Sequence, residues 1–490
     1  MPPRPPRPHK LLVFLVLFLF SVPLLRPIHM APTAAAAAAV AGGGVEAEAE
    51  ALLGLLQRVQ SEALRAFGPN DFDPKLYVDL PLAADASAAA ALASLPRAVP
   101  SRGEMEAYIS RYFAPAGSDL VAAADPPDFE RDPPGFLPRV ERAGARAWAL
   151  EVHALWKDLT RRVAPAVAAR PDRHTLLPLP GRVVVPGSRF REVYYWDSYW
   201  VVRGLLVSKM YETAKDIVLN LVYLVEKYGF VLNGARSYYT NRRDSTDMTT
   251  LTTSYIIPVD LNTFILKMEQ DIAFFAKLIG ESTTSEIFSE ASKARHNAIE
   301  SVLWNADMEQ WLDYWLPTDG NCQAVYQWKS NSQNRAIFAS NFVPLWLNAQ
   351  HSGLERFVDE AKSVRVMRSL QKSGLLQPAG IATSLSNTGQ QWDFPNGWAP
   401  LQHLIVEGLL RSGSGEAREL AEDIATRWVR TNYDAYKATG AMHEKYDVVT
   451  CGKSGGGGEY KPQTGFGWSN GVILSFLEEF GWPQDKEIDC

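Results

Sequence analysis

Four segments of this 490-residue chain place aromatic side chains beside charged and amide side chains. These segments are 186–200, 233–243, 390–400 and 444–470. A sugar packs its C–H faces on aromatic rings, and its hydroxyls need many hydrogen-bond donors and acceptors. Because the loops of a helical scaffold often carry function, the four segments predict a carbohydrate-binding cleft. For any single one of the 14 Trp residues, core packing is the alternative.

Two short strings resemble other functional motifs but lack residues that those motifs require. Gly-Lys-Ser at 452–454 resembles the end of a phosphate-binding loop, yet the earlier glycine of that motif would fall at Asp447. His443 and Glu444 begin like a zinc-protease motif, whose second histidine would also fall at Asp447. The eight histidines show no ligand spacing, so we expect no metal ion.

Composition and charge narrow the class of partner. The chain is 47% hydrophobic and 21% charged, which is typical of a globular protein long enough for one large closed architecture. Its formal net charge is -6, and no basic run occurs outside the N-terminus, so nucleic acid is not an expected partner. The three cysteines, Cys322, Cys451 and Cys490, allow one disulfide, whose pairing the sequence leaves open.

The N-terminus has the pattern of a secretory signal. Three basic residues within the first ten precede an apolar run at 11–25, which is shorter than the roughly 20 residues that span a bilayer. An Ala-rich tract at 31–41 offers cleavage sites or could extend the span. We therefore predict that 1–44 is a signal peptide or signal-anchor plus linker. The protein is expected in the secretory pathway, either secreted or anchored in the plasma membrane with its domain facing outward.

Helical periodicity dominates residues 45–490 and must position the four segments. The clearest helix starts at Pro258 and ends before Gly280, with six apolar residues on one face. Strand-like alternation is scarce, and 69–143 is typical of loops with short helices. We predict a single all-α domain over 45–490. Further helices are predicted at 45–67, 144–166, 206–224, 284–303, 355–371, 400–411, 416–437 and 469–480.

Several long strings resemble the signatures of a known family. The stretch 186–200, PGSRFREVYYWDSYW, closely resembles the first signature of the trehalases, glycoside hydrolases that split α,α-trehalose. The stretch 391–400, QWDFPNGWAP, resembles their second signature. Further matching strings are NGARSYY at 233–239, IPVDLN at 257–262, EKYD at 444–447, GGGGEY at 455–460 and GFGW at 465–468. The resemblance runs from about residue 51 to the C-terminus, and the N-terminal pattern resembles the plant branch.

The resemblance implies an (α/α) toroid of the six-hairpin type and an inverting mechanism without a cofactor. Inversion needs a carboxylic acid and a carboxylate base about 6.5–9.5 Å apart. By resemblance Glu444 is the general base and trehalose is the substrate, whereas a surface Glu beside Lys445 is the structural alternative. The residues that match sugar-holding positions are Arg189, Trp196, Asp197, Asn233, Arg242 and Glu459, and Trp398 is expected to wall the cleft. Trp196 and Asp197 could instead tie loops together.

The chain departs from the family directly after Arg242. In the trehalases a long segment follows this position, with Ser-Gln-Pro-Pro and Arg-Pro-Glu stretches and a Gly-Trp-Asp motif that contains the general acid. Here Arg242 runs into 243–248, which resembles sequence beyond that motif. We therefore expect an incomplete toroid without its general acid. Asp244 or Asp247 could replace the acid only if held firmly in place.

Three functions remain open on these grounds. The chain is an active trehalase with a substitute acid, a catalytically inactive trehalose-binding or regulatory form, or a product that does not accumulate. An inverting toroid glycosidase acting on another glucoside is a more distant alternative, because the strings favour trehalose.

Overall fold

The computed structural model describes most of the chain from residue 44 onward. The described residues are 44–69, 71–96, 99–122, 126–187, 189–228, 255–316, 332–348, 357–458 and 460–482. The N-terminal segment 1–43, including the predicted signal, lies outside them. Within the described residues, no helix is both long enough and apolar enough to cross a membrane. Cys451 is disulfide-bonded, whereas Cys322 and Cys490 lie outside the described residues.

Helices make up most of the described structure, which confirms the all-α prediction. In chain order they are α1 Gly44–Phe67, α2 Pro74–Val78, α3 Ala88–Ala93, α4 Arg102–Tyr112, α5 Ala143–Leu159, α6 Pro165–Ala169, α7 Tyr195–Val207, α8 Tyr211–Tyr228, α9 Val259–Ile279, α10 Ser282–Ala298, α11 Glu360–Lys372, α12 Ala399–Leu410, α13 Gly415–Thr439 and α14 Gly467–Phe480. Two short 3-10 segments, Pro171–Arg173 and Ala339–Asn348, and a π-helical turn, Ile299–Leu303, complete the helical elements described.

The strands are short and antiparallel. They are β1 Leu120–Ala122, β2 Thr160–Val163, β3 Val183–Val184, β4 Ile256–Ile257, β5 Trp304–Asn305, β6 Gln310–Trp311, β7 Tyr314–Trp315, β8 Leu376–Gln377, β9 Gly380–Ile381, β10 Asn396–Gly397 and β11 Tyr446–Asp447. β1, β2 and β3 form one sheet, and β4–β7, β5–β6, β8–β9 and β10–β11 form pairs. In the last pair Asn396 lies opposite Asp447, which brings two of the aromatic-rich segments together.

Helix α9 matches its predicted bounds closely, although Leu261 and Ile279 at the two ends of its predicted apolar face are exposed, and two other predicted helices needed correction. α9 ends at Gly280, whose φ of 88° is the left-handed geometry expected of a C-cap glycine. The helix predicted at 206–224 is wrong at its start, because Lys209 adopts a φ of 60° and separates α7 from α8. The helix predicted at 144–166 ends at Leu159, because the following residues pair as β2 with β1 and β3.

Close backbone contact joins α7 to α14. A Cβ built on Gly471 would lie 2.1 Å from the backbone oxygen of Trp200, so only glycine fits there. Gly467 lies beside Val201, and Gly471, one turn further along, lies beside Gly204. The order of these contacts makes the two helices parallel, with their N-termini at the same end of the molecule.

Helix α12 runs in the same direction as α14. Trp398, which precedes α12, packs against Trp468 with ring centroids 5.6 Å apart, and His403 packs against Phe476 at 6.0 Å. The N-termini of α7, α12 and α14 therefore meet at one end, which we call the cleft end. Parallel inner helices joined by outer ones are the arrangement of an (α/α) toroid.

Residues 44–113, which we call the N-terminal unit, have a separate hydrophobic core. Leu55 and Val59 of α1 pack there with Tyr77, Met105 and Tyr108, whereas residues from Leu120 onward contribute to the toroid core. The unit is well capped, since Ser101 and Glu104 form a capping box at the start of α4. The predicted domain 45–490 thus contains two hydrophobic clusters.

Candidate active site

The cleft end of the inner helices gathers four aromatic or acidic site residues. Trp196 and Asp197 lie in the first turn of α7, and Trp398 is the N-cap residue of α12. Glu444 follows α13 and is held at the start of α14, because Trp468 Nε1 donates to its backbone oxygen at 2.9 Å. Helix N-termini carry partial positive charge, so this end of the toroid suits anionic side chains.

Both carboxylate oxygens of Glu444 accept a hydrogen bond. The Tyr460 hydroxyl donates to Oε1 at 2.5 Å, and the backbone N–H of Gln463 donates to Oε2 at 3.1 Å. Glu444 is 2% exposed, which excludes the alternative of a surface residue. Burial raises the pKa of Glu444, and the hydrogen bonds from Tyr460 and Gln463 and the charges of Lys445 and Arg189 oppose that rise.

Asp197 is buried with one oxygen unsatisfied. Its side chain lies in a residue that is 5% exposed, and Oδ1 accepts no hydrogen bond within the described structure. Burial raises the pKa of Asp197 well above its ordinary value, and the negative charge of Glu444 raises it further. An unpaired buried acceptor is costly, at about 1–3 kcal/mol, which makes Asp197 Oδ1 a candidate for contact with a ligand.

Trp196 also carries an unsatisfied polar atom beside Asp197. Its Nε1 is buried and, within the described structure, donates to no acceptor. Its ring packs edge-on against Trp200 at 4.7 Å and against Phe264 of α9 at 5.1 Å. Trp196 and Asp197 therefore offer a free donor and a free acceptor in one turn of helix. Among the described residues, Asp197 forms no ion pair with an arginine that would tie these loops together.

Arg189 pairs with a carboxylate along one edge of its guanidinium group and packs its face on an aromatic ring. Its Nε and Nη2 donate to the two carboxylate oxygens of Asp73 at 2.9 and 2.6 Å. The guanidinium carbon lies 4.4 Å from the ring centroid of Tyr460 and 5.3 Å from that of Phe190. Since Tyr460 also binds Glu444, the structure brings Arg189 and Glu444 to the same side of the cleft.

Trp398 lies deeper than expected. It is 1% exposed and stacks on Trp392 with centroids 3.9 Å apart and an interplanar angle of 7°. Lys445 Nζ lies 5.3 Å from the Trp398 centroid and donates to the Gly457 oxygen at 3.1 Å. Burial lowers the pKa of Lys445 to about 8. Trp392 is the more accessible ring of the stacked pair, and sequence reasoning missed it although it lies in the string QWDFPNGWAP.

The remaining predicted site residues are outside the described structure. Asn233, Arg242 and Glu459 are among them, as are Asp244 and Asp247. Their roles stay predictions. Among the described residues, no group of three or more His, Cys, Asp or Glu side chains is arranged to hold a metal ion.

A cavity of about 830 Å³ opens between the N-terminal unit and the cleft end. Its walls include Asp73 and Lys75 from the unit and Arg189, Tyr460 and Gln463 from the toroid. Its volume lies in the usual range of ligand sites, but its lining does not include Glu444, Asp197 or Trp196, to which it is linked through Arg189 and Tyr460.

An all-α toroid with buried acidic side chains at the N-terminal ends of its inner helices is an arrangement of glycoside hydrolases, which work with carboxyl groups. The family model described as Trehalase matches residues 69–244 and 242–481, and the chain belongs to this family. A probable trehalase of Oryza sativa subsp. japonica is 78% identical over 94% of this chain and 100% of that protein. A trehalase of Arabidopsis thaliana is 42% identical over 90% of this chain and 87% of that protein.

Among solved structures, the neutral trehalase Nth1 from Saccharomyces cerevisiae is 20% identical with a TM-score of 0.48. The match covers 64% of this chain and 79% of the yeast chain.

Each alignment with a plant relative has more positions than the number of residues that this chain contributes to it. The rice alignment extends over 569 residues, and 94% of this 490-residue chain is about 461, so about 108 aligned positions have no residue here. The Arabidopsis alignment extends over 556 residues, and 90% of this chain is about 441 residues. The difference is about 115 positions. The two family-model matches meet at residues 242–244.

Proposed function

We propose that this chain is a hydrolase of α,α-trehalose that yields glucose through an inverting site, with Glu444 as the general base. The observation that carries the proposal is Glu444 itself, buried at the cleft end with each carboxylate oxygen held by one hydrogen bond. A general base works best when its pKa approaches the operating pH, and burial raises the pKa of Glu444 in that direction.

The polar atoms around Glu444 suit a sugar ligand. Asp197 Oδ1 can accept from a sugar hydroxyl, and Trp196 Nε1 can donate to one. Arg189 supplies further donors beside Tyr460. The stacked rings of Trp392 and Trp398 provide an apolar face for C–H groups. In this proposal Asn233, Arg242 and Glu459 complete the set of sugar-binding side chains.

We further propose that the chain lacks an internal segment of about 110 residues after Arg242, and with it the general acid. The excess length of the alignments and the meeting point of the family matches support this gap. Without a proton donor, the leaving glucose departs as an alkoxide, and a general acid is typically worth about 10²–10⁴ in rate. Trehalose hydrolysis is then slow, and an inactive trehalose-binding form is the second candidate function.

The location of the protein follows from its N-terminus. We propose that residues 11–25 direct the chain into the secretory pathway, where it is secreted or anchored at the plasma membrane facing outward. The disulfide at Cys451 supports an oxidising compartment.

The deciding experiment compares two substrates in the full-length chain. Trehalose needs protonation of its leaving group, whereas the fluoride of α-D-glucopyranosyl fluoride leaves without a proton. We expect hydrolysis of the fluoride to β-glucose, followed by NMR, at a rate about 10²–10⁴ above that of trehalose. Glu444→Gln is expected to abolish both reactions, and Glu419→Gln, at an exposed position of α13, to change neither.

Each outcome selects a function. Hydrolysis of the fluoride alone supports an intact base with a missing acid. Efficient trehalose hydrolysis that depends on Glu444 shows that another group, such as Asp244 or Asp247, supplies the proton. A folded chain that binds trehalose in calorimetry but hydrolyses neither substrate supports the second candidate. A folded chain that neither binds nor hydrolyses contradicts the whole proposal.

A further inference from the structure

The N-terminal unit reaches the cleft end through Asp73. This residue is the N-cap of α2, and its Oδ1 accepts from the backbone N–H of Lys75 at 3.0 Å. The same carboxylate accepts two parallel hydrogen bonds from Arg189, which lies 116 residues further along the chain. Two parallel charge-assisted bonds fix the plane and the direction of a guanidinium more firmly than a single contact does.

This pairing uses only one edge of Arg189. A guanidinium carries five N–H donors, and Asp73 accepts one from Nε and one from Nη2. The other N–H of Nη2 and both of Nη1 point away from the paired edge, which leaves three donors for other acceptors. The face of the same group rests on Tyr460, whose hydroxyl donates to Glu444. The donors of Arg189 are therefore directed from a fixed position beside the proposed base.

A second set of contacts anchors the unit at the same place. Lys75 Nζ lies 2.5 Å from an Asp79 carboxylate oxygen and 3.1 Å from Glu192, which belongs to the segment that leads into α7. Arg191 Nη1 donates to the backbone oxygen of Ala116 at 2.5 Å. These contacts hold the segment around Asp73 against the segment 189–192 of the toroid.

We propose that Asp73 is a positioning residue of the sugar site, which holds the guanidinium of Arg189 so that its remaining donors meet the sugar beside Glu444. The inference rests on the proposed function, because it takes trehalose as the ligand of Arg189. Without Asp73 the long arginine side chain regains rotamer freedom, which must be lost again when the sugar binds. Trehalose affinity then falls because Arg189 is less well ordered.

The test uses trehalose binding to the full-length chain by calorimetry. Asp73→Asn keeps an N-cap side chain for α2 but removes the charge and the paired acceptor. We expect this variant to bind trehalose about tenfold more weakly. Asp85→Asn is the matched control, because Asp85 belongs to the same N-terminal unit, pairs with Arg111 in an exposed position and does not line the cavity. It is expected to bind as the wild type does.

The role of Arg189 is tested by combining substitutions. Arg189→Ala alone weakens binding, and adding Asp73→Asn to it is expected to have no further effect, because the group that Asp73 holds is gone. Thermal unfolding of Asp73→Asn should match that of Asp85→Asn within a few degrees.

The outcomes separate this inference from the function on which it rests. Equal losses on Asp73→Asn with and without Arg189 would show that Asp73 acts through the fold, and would overturn the inference. Unchanged affinity in Asp73→Asn overturns it as well, while the proposed function stands. A folded wild-type chain that binds no trehalose contradicts the proposed function and removes this inference with it.

Discussion

The two ends of the inner helices both hold charged side chains, but in opposite arrangements. At the far end, Arg203 of α7 donates to Glu407 of α12 at 3.2 Å, and Trp346 Nε1 donates to the other carboxylate oxygen at 2.8 Å. Burial alone would raise the pKa of Glu407, but the charge of Arg203 and the hydrogen bond from Trp346 oppose it, and the pKa falls to about 2. The opposite charges of Arg203 and Glu407 meet there, and both carboxylate oxygens of Glu407 accept a hydrogen bond.

The cleft end instead holds two buried acidic side chains, Asp197 and Glu444. Burial raises the pKa of both, and the negative charge of Glu444 adds to the rise at Asp197. The cation Arg189 pairs with Asp73 instead. Protein structures keep such unfavourable arrangements mainly where a ligand or a reaction needs them. The comparison therefore distinguishes an end with a stabilising ion pair from the end at which we propose the sugar site.

The largest expected effect concerns stability at the far end. Glu407→Gln leaves Arg203 without its partner charge, and loss of one member of a buried pair usually costs 3–5 kcal/mol. Because the Arg203 side chain is 35% exposed and water can solvate it again, we expect about 2 kcal/mol in urea unfolding at pH 7. The wild-type advantage is present above about pH 4 and is lost as the pH falls towards 2. An unchanged midpoint would contradict the structural role.

The next effect concerns the hydrogen bond on Glu444. Tyr460→Phe removes the donor to Oε1, and a hydrogen bond to a charged group is worth about 1.5–3 kcal/mol, so we expect hydrolysis of the glucosyl fluoride to slow by about tenfold or more. Tyr460 lowers the pKa of Glu444, so its loss raises that pKa and moves the acidic limb of the pH–rate profile to higher pH. An unshifted acidic limb would show that Tyr460 does not influence the proposed base.

Asp197→Asn is expected to weaken sugar binding and yet to stabilise the protein. The folded pKa of Asp197 is raised, so the wild type loses stability from this group as pH rises above about 4, the ordinary pKa of Asp. The neutral variant escapes that loss and should be more stable by about 1 kcal/mol at pH 7 and equal near pH 3. If the variant is less stable than the wild type at pH 7, the Asp197 carboxylate stabilises the fold, as the Arg203–Glu407 pair does.

The smallest effect is expected at an exposed ion pair. Arg111 lies 3.0 Å from Asp85 on the surface of the N-terminal unit, and both side chains are more than half exposed. Arg111→Gln should change the free energy of unfolding by less than about 0.5 kcal/mol. A larger change would mean that exposure alone does not separate weak pairs from the strong pair at the far end.

Sequence reasoning located most helices but not all of their ends. α9 was predictable because its apolar spacing, its first proline and its terminal Gly280 agree. The separation of α7 from α8 was not, because apolar spacing continues through Lys209, whose left-handed geometry has no signal in a lysine. Short strands such as β2 depend on pairing with distant segments, which local periodicity does not report.

Candidate site residues were predictable where they lie within a single recognisable sequence string. Glu444 and Trp398 lie in strings that resemble family signatures, and the structure brings them to one end of the toroid. Asp73 was missed, because an Asp that precedes a helix is an ordinary N-cap and its contact with Arg189 spans 116 residues. The depth of Trp398 below Trp392 was equally hidden, because stacking order depends on tertiary packing.

The separate core of the N-terminal unit has a consequence for how the protein opens. Segments with their own hydrophobic cluster tend to open as cooperative sub-global units, below the free energy of complete unfolding. Opening of this unit removes Asp73 from Arg189 while the toroid keeps its helices. Amide hydrogens of α1 and α4 should then exchange with solvent earlier than those of α14, and bound trehalose should slow their exchange. The sugar site would thus be linked to the local stability of a layer outside the toroid.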